Sequence, residues 1–393
     1  MTKPLELNSF AGVRNDVSPE RFSAKDLQVG SNIELDETGK PYRRLGTTVL
    51  NNTPAHSLWA EGDLAFTVRN GTIHRIMPDL TFVDYGVAVV GERVRYERVN
   101  NDVFWSDGVS SGVLSREGNR PWGIVVPKAP VTEETIGSLP AGRYLVAMTF
   151  ERSTGLESGA SGLTLVNTSG SNGIRVHNEA SSDPLVTKTH IYVSTPNGEL
   201  PYRAATLTSA DSYADITDVV PASVPVRNMR CGPPPVGNVI GYYRGHVFVA
   251  ENNYLWYSLP HELELVNRAV NFIGFASAVR TFVPVADGVF VGTDDETSFL
   301  QGLTPSEFTR FPIAPYGTVL GTELTIPGYL FGKGESKEPV QTWMSKQGLC
   351  AGFQGGQFMN LTGGRYVLPD VVSGASLLKV RGASPQLVTT LFS

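Results

Sequence analysis

Carboxylates are the side chains in this sequence best placed to do chemistry. Asp294, Asp295 and Glu296 stand together in a polar segment between two apolar runs, and Asp107 ends another run just before Gly108. Two carboxylates at a suitable separation can hydrolyse a glycosidic bond. The competing reading is that Asp and Glu in turns shape the turn and face solvent. A calcium loop at Asp294-Asp295-Glu296 is a third reading, but the segment lacks the spaced Asp-x-Asp-x-Asp-Gly pattern. The six histidines (His56, His74, His177, His190, His246 and His261) form no His-x-His or His-x-x-x-His pair, which argues against histidine metal chemistry. A Ser-His-acid triad is not expected either. Cys231 and Cys350 lie far apart in sequence, outside any metal-ligand spacing, and read as reduced structural thiols. Gly352, Gly355 and Gly356 belong to a hairpin with no helix after it, so they fail the test for a phosphate loop. The expectation is a protein that is not an enzyme, with no catalytic residues, no cofactor and no metal.

The elements that would position these side chains repeat. Val103-Phe104-Trp105-Ser106-Asp107-Gly108 is an apolar strand entering a polar turn. His246 to Ser258 holds two such strands around Glu251-Asn252-Asn253, and Gly288 to Leu300 repeats the plan around Asp294-Asp295-Glu296. Leu64 to His74 and Leu349 to Met359 follow it too. Each reads as a β-hairpin with Asn, Asp or Gly at the tight turn. The hairpins start 39 positions apart between Leu64 and Val103, and 42 apart between Val247 and Val289. Blades of about 40–50 residues are the β-propeller scale. Five beats are clear, and a sixth is sought between Gly317 and Met344. The tryptophans Trp59, Trp105, Trp122, Trp256 and Trp343 could stack on sugars, but Trp105 and Trp256 lie inside apolar strands and read as core. Arg93, Arg95 and Arg98 read as surface salt-bridge formers rather than a DNA patch.

The beat breaks once. Val103 and Val247 are 144 positions apart, three times one blade. Prolines 127, 130 and 140 open this gap, and prolines 221, 225 and 233–235 close it. About seven short strands between them suggest a small β-sandwich. The expected organisation is an N-terminal arm and hairpin over 1–50, the first part of a propeller over 51–127, an inserted sandwich over 128–220, and the second part of the propeller over 221–393. The final strand, Gln386 to Phe392, is expected to complete a blade begun elsewhere. Helix is nearly absent; the best candidates are 258–265 and a turn at 23–30.

Composition fits this plan. The chain has 393 residues, of which 41% are hydrophobic and 18% charged. Its 41 glycines and 26 prolines are spread out, as short strands joined by turns require. A net charge of −6 argues against a protein that grips nucleic acid by neutralising phosphates. The first residues lack the apolar core of a signal peptide, and no run reaches the eighteen or so apolar residues of a membrane helix. Folding in a cytosol is the expectation.

Several phrases resemble a known family. They are Phe10-Ala11-Gly12-Val13-Arg14-Asn15-Asp16, Ala24-x-Asp26-Leu27 and Gly39-Lys40-Pro41-Tyr42-Arg43-Arg44-Leu45-Gly46. With them go Asn101 to Gly108, Trp122-Gly123, Pro234-Pro235, Tyr243 to Ala250, and Asp287 to Thr293 with Phe299-Leu300-x-Gly302. Over about 10–365 the chain resembles the nozzle proteins of short-tailed bacteriophages, the tail tubular or packaged-DNA stabilisation family. The insert, with Ala141-Gly142-x-Tyr144-x-Val146, is similar to a fibronectin type III module.

The resemblance implies an all-β fold, a β-propeller of about five or six blades with an inserted fibronectin type III-like β-sandwich. It implies a homohexameric ring in the virion tail, assembled in the host cytoplasm and stacked below a tail adaptor protein, with tail fibres or a tail needle as further partners. Phage genomic DNA would pass through the channel without sequence-specific binding. Six chains would carry roughly −36, and an acidic lumen lowers friction on DNA. Asp294, Asp295 and Glu296 are the candidate channel-facing acidic tip. Phe10, Arg14, Arg43 and Arg44 are candidate contacts to the adaptor or a neighbour. Two other readings stay open: a propeller that binds or hydrolyses host-surface glycans, and a tail-tip or baseplate component of a longer-tailed phage.

Overall fold

The computed structural model describes residues 9–393 except 37, 47, 50, 51, 92, 117, 220, 331–337 and 382–383. The chain is all-β: strands are joined by turns and four short 3-10 segments, with no α-helix among the described residues.

Five antiparallel four-stranded sheets are meanders; in the third, a short strand, Val266–Asn267, paired with Cys231–Gly232, intervenes before the last strand. Sheet I is Ala55–Glu61, Leu64–Arg69, Thr72–Ile76 and Phe82–Ala88. Sheet II is Arg95–Val99, Asp102–Ser106, Ser111–Ser115 and Gly118–Arg120. Sheet III is Val239–Tyr243, His246–Glu251, Tyr254–Tyr257 and Phe272–Gly274. Sheet IV is Val279–Val285, Gly288–Thr293, Thr297–Gln301 and Thr309–Ala314. Sheet V is Leu324–Ile326, Val340–Ser345, Gly348–Gly352 and Phe358–Asn360.

The second strand of each middle sheet is apolar at consecutive positions because the sheet is covered on both faces. Side chains alternate between faces. In sheet II, Val103 and Trp105 pack back on Phe66 and Val68 of sheet I, while Phe104 packs forward with Trp122 on Ile240 and Val247 of sheet III. In sheet III, Val247 and Val249 face sheet II, and Phe248 and Ala250 face Val279, Phe282 and Val289 of sheet IV. In sheet IV, Val289 and Val291 face back, and Phe290 meets Trp343 and Cys350 of sheet V. The repeated Val-Phe-Val phrase is thus the signature of sheets stacked face to face. Each fully buried Val or Phe contributes about 1.5–3 kcal/mol.

Between sheets II and III, two further sheets pair only among themselves. One has three strands, Thr132–Leu139, Asn172–His177 and Tyr213–Ile216; the other has four, in the order Thr164–Thr168, Gly142–Arg152, Val186–Ser194 and Pro201–Thr208. Their inner faces share one core of Tyr144, Val146, Met148, Ile174, Val176, Ile191 and Val193. Tyr144 is fully buried, and its hydroxyl donates to Pro140 O at 2.8 Å. A tyrosine bonded to backbone just upstream is a hallmark of immunoglobulin-like sandwiches.

The two ends of the chain meet. Ile33–Leu35 pairs with Pro41–Arg43, and Ser373–Arg381 pairs with Ser384–Phe392. The last strand therefore pairs with its own predecessor in a two-stranded ribbon rather than entering a four-stranded sheet. The ribbon's base is bonded to Leu320, and Leu391 packs with Val319, Met344 and Leu368 beside sheet V.

Other expectations change as well. Residues 258–265 form a looped turn: Pro260 lacks an N–H, His261 sits at φ 62°, and Leu259 N bonds Leu265 O instead. The 3-10 segment near the N-terminus falls at Pro19–Arg21, ahead of the turn expected at 23–30. The stretch from Gly317 to Met344 supplies the first two strands of sheet V, and Gly328–Leu330 is a 3-10 turn. Residue 37, within the expected N-terminal hairpin, and residues 331–337, within the stretch searched for the sixth beat, lie outside the described residues.

Candidate functional site

The residues singled out by sequence are held in structural roles. Asp294 is gripped by Arg280 through two bonds, Nε–Oδ1 at 2.7 Å and Nη2–Oδ2 at 3.0 Å. Glu296 pairs with Arg310, whose guanidinium lies 4.5 Å from the ring centroid of Phe275. Lys346 Nζ donates to Asp294 O at 2.7 Å, and Asp295 is exposed. Three carboxylates face three cations, so this tip is close to neutral rather than acidic. Asp107 is buried and accepts four backbone N–H groups: Val109 and Ser110 in its own turn, and Val90 and Gly91 across the gap to sheet I. Burial would raise its pKa, but these donors together outweigh that and hold it below the ordinary value.

The segment Gly108-Val109-Ser110-Ser111-Gly112 spells Gly-x-Ser-x-Gly, a pattern the expectation of no triad overlooked. It is the turn between two antiparallel strands, without the helix that a nucleophile elbow requires. Ser110 uses its N–H on Asp107 and its carbonyl on Ser106.

At the N-terminus, Phe10 N donates to Gly39 O at 2.7 Å, tying the arm to its hairpin. Arg14 binds Asp16 at 2.7 Å and Asp26 at 3.5 Å, and buried Asp26 is also bound by Arg365. Asn15 exchanges two 2.7 Å bonds with the backbone of Val367. Arg14 therefore serves an internal clasp between the ends of the chain. Arg44 lies 3.8 Å from Glu34, and Arg43 is exposed with no ion pair among the described residues.

Trp105, Trp122 and Trp343 are buried as expected. Trp256 is only half-buried, in a surface cluster with Tyr254 and Phe272 whose ring centroids lie 5.3–6.0 Å apart.

Two charged clusters escaped the sequence reading. The first fixes the inserted sandwich to the sheets. Arg152, at the end of its strand, donates to Asp183 at 2.7 Å, to Glu264 at 3.0 Å, and to the carbonyls of Pro121 and Gly123 at 3.1 Å each. Glu264 also accepts Arg120 and, at 2.9 Å, Gly123 N; Arg120 binds Asp102 at 2.8 Å. Arg152 is 2% exposed, and its fork is fully paired. The only sequence signal is an acid, Glu264, set inside the apolar run Leu263-Glu264-Leu265-Val266.

The second cluster lies where the first strands of the sheets run side by side. Glu97 of sheet II is only partly exposed. Burial pushes its carboxyl up to about 8; Glu61 of sheet I adds like-charge repulsion, and the backbone N–H of Tyr242 in sheet III pulls the other way. Glu323, just before sheet V, is raised by burial against the pull of Arg95 and accepts backbone N–H groups from Gly321 and from Phe282 of sheet IV. The Arg95 guanidinium lies directly on Gly321, where φ is +78° and a Cβ would stand 1.7 Å from Nη2, so only glycine fits. Arg95 is thus part of the interior and not a surface salt-bridge former. Sheets I to IV and the segment leading into sheet V contribute to these two groups through side chain or backbone.

Both cysteines are buried, and burial pushes the Cys350 thiol up to about 11. Among the described residues no group of three or more His, Cys, Asp or Glu is placed to hold a metal, and no helix is long and apolar enough to cross a membrane.

No family model and no curated protein matches the chain. Solved structures overlap it weakly. PorZ, an essential bacterial surface component of the type-IX secretion system of Porphyromonas gingivalis, aligns at 11% identity and TM-score 0.20, over 88% of this chain and 52% of that one. The extracellular domain of BT4673 from B. thetaiotaomicron aligns at 9% identity and TM-score 0.22, over 83% and 57%. The AfRom2 CNH domain aligns at 8% identity and TM-score 0.18, over 75% and 91%. The chain spans under two thirds of the first two, and at these scores none of the three bears on its function.

Proposed function

We propose that this chain is a structural virion protein, a wall segment of the nozzle ring of a short phage tail. In this reading sheets I–V are the five blades of a propeller, and residues 128–220 are a fibronectin type III-like insert. Six copies surround the DNA channel below the tail adaptor, and tail fibres or a needle attach to the ring. The observation that carries the reading is the engagement of Asp107, Asp294 and Glu296. Each is occupied by turn backbone or arginine in a stack of meanders, as suits a wall rather than an active centre. The family phrases near the N-terminus add support, since Arg14 and Asp26 build the clasp that joins the chain's ends.

The near-neutral tip at Asp294–Glu296 alters the electrostatic part of the reading. Low friction on DNA then rests on the net charge of −6 per chain rather than on this turn. Electron microscopy of the purified full chain tests the proposal. Class averages of a six-fold ring with a central pore are expected; a monomer that binds or cleaves glycans would overturn it. One observation favours that second reading: Tyr254, Trp256 and Phe272 form a partly exposed aromatic cluster, and sugar-stacking sites use exposed rings. A glycan array probed with the protein and with Trp256→Ala separates the two.

A further inference from the structure

The outer face of the sandwich's four-stranded sheet lines up a hydroxyl, an imidazole and a carboxylate. Ile191 and Val193 point into the sandwich core, so alternation turns Lys188, His190 and Tyr192 to the other face. On that face His190 lies opposite Thr149 on one side and Thr206 on the other. Its Nε2 is 2.7 Å from Glu151 Oε2, and its Nδ1 is 2.8 Å from Thr206 Oγ1. His190 is 2% exposed, Glu151 is partly covered, and Thr206 is open to solvent.

The partners fix the proton positions. Burial would raise the Glu151 carboxyl, but bonds from Lys188 and His190 hold it below its ordinary value, so it is an acceptor only. In the neutral ring the proton then sits on Nε2, and Nδ1 presents a lone pair to the Thr206 hydroxyl. Thr206 Oγ1 therefore donates to His190, and His190 donates to Glu151. This is the relay of a nucleophilic triad, with the base held by the acid and the hydroxyl facing outward. The backbone adds a further part. Pro201–Thr208 is an edge strand. Thr208 N turns outward to Asp211 Oδ2 at 2.8 Å, so by alternation the Thr206 N–H also points away from the neighbouring strand. That N–H stands beside its own hydroxyl, where it can donate to an oxyanion. A groove of about 400 Å³ opens at Tyr192, the next outer-face residue after His190, and is lined also by Glu157, Arg227 and Glu262. It can take the polar alcohol portion of a substrate.

We propose that Thr206, His190 and Glu151 form a catalytic triad that hydrolyses carboxylic esters. Thr206 Oγ1 attacks the ester carbonyl carbon as its proton passes to His190 Nδ1. The bond to the alcohol oxygen breaks, and His190 returns the proton to that oxygen. Water then attacks the acyl-threonine, losing a proton through the same nitrogen, and the acid leaves as Thr206 is restored. Glu151 orients the ring and stabilises the imidazolium; Lys188, 2.7 Å from Glu151 Oε1, holds the carboxylate in place. The activity needs no ring of subunits, so it stands or falls apart from the nozzle reading.

The test assays the full chain with p-nitrophenyl acetate beside Thr206→Val, Thr206→Ser and His190→Gln. A fluorophosphonate that labels activated hydroxyls, followed by peptide mass spectrometry, locates the nucleophile. Expected are turnover by the wild type, a loss of roughly a hundredfold or more in Thr206→Val, retention in Thr206→Ser, and label on Thr206 alone. Thr206 is exposed, so Thr206→Val should keep the wild-type melting temperature. If Thr206→Val hydrolyses as fast as the wild type, or if the label falls elsewhere, the triad is rejected. Loss in His190→Gln with Thr206→Val unaffected makes the imidazole itself the nucleophile and rejects it too. A wild type no faster than free imidazole, and unlabelled, overturns the proposal; the three side chains are then a hydrogen-bond network that only holds the sheet.

Discussion

Glu97 and Asp107 respond to pH with opposite signs. Glu97 has its carboxyl raised to about 8 from an ordinary 4.5, so the folded chain holds a proton that the unfolded chain has released. Its contribution is complete below the unfolded value and is lost as pH rises through the folded one. Glu97→Gln should remove that loss: between about pH 5 and 9 the variant's melting temperature should fall less than the wild type's. An equal fall in both would show that Glu97 is not the group responsible. Asp107 is held below its ordinary value, so its contribution is present above the unfolded pKa and disappears as pH falls through the folded one. Asp107→Asn can satisfy only part of the four donors and should cost about 1–3 kcal/mol in urea unfolding at neutral pH. A smaller cost would mean that water takes over the stranded N–H groups. Neither role was legible in the sequence. Asp107 could be read as a turn former because Gly108 follows it, but its second grip, on Val90 and Gly91, depends on how sheet I meets sheet II.

Among the elements, Arg152 joins the inserted sandwich to Glu264 and to the carbonyls of Pro121 and Gly123. Replacing Arg152 with Ala would leave Asp183 and Glu264 buried with a lost partner, a change worth about 3–5 kcal/mol. Limited proteolysis should then release a fragment near residues 128–220 while sheets I–V persist. A cleavage pattern identical to the wild type's would show that other contacts hold the sandwich without Arg152. The stacked strands were readable because alternation is local: Val247, Phe248 and Val249 reveal a strand covered on both faces from three adjacent letters. The clamp was not, because Arg152 finds Asp183 and Glu264 at separations of 31 and 112 residues. Residues 258–265 misled for a related reason. Their apolar and acidic letters fit a helical turn, but Glu264 is turned inward to two arginines. The last strand looked unpaired because its partner, Ser373–Arg381, is rich in small residues that give little apolar signal.

At the scale of the whole molecule, the proposed ring would gather copies that each carry −6, so it should tighten as salt screens their repulsion. Screening shortens electrostatic reach to about 10 Å at 0.1 M ionic strength and about 3 Å at 1 M. Sedimentation of the full chain should show larger species as salt rises over that range; dissociation with salt would instead point to attractive ion pairs between copies. The clasp between the ends also sets an order of events during synthesis. Asn15 meets Val367 across 352 residues, and Asp26 meets Arg365 across 339. Sheets I to V can each form as their strands leave the ribosome, since their pairings are local. The first forty residues must wait until nearly the last have been made, as contacts of such long range are slow to form. Until then the N-terminal segment is a loose tether. If copies assemble as proposed, the late-closing clasp would keep half-made subunits out of the ring.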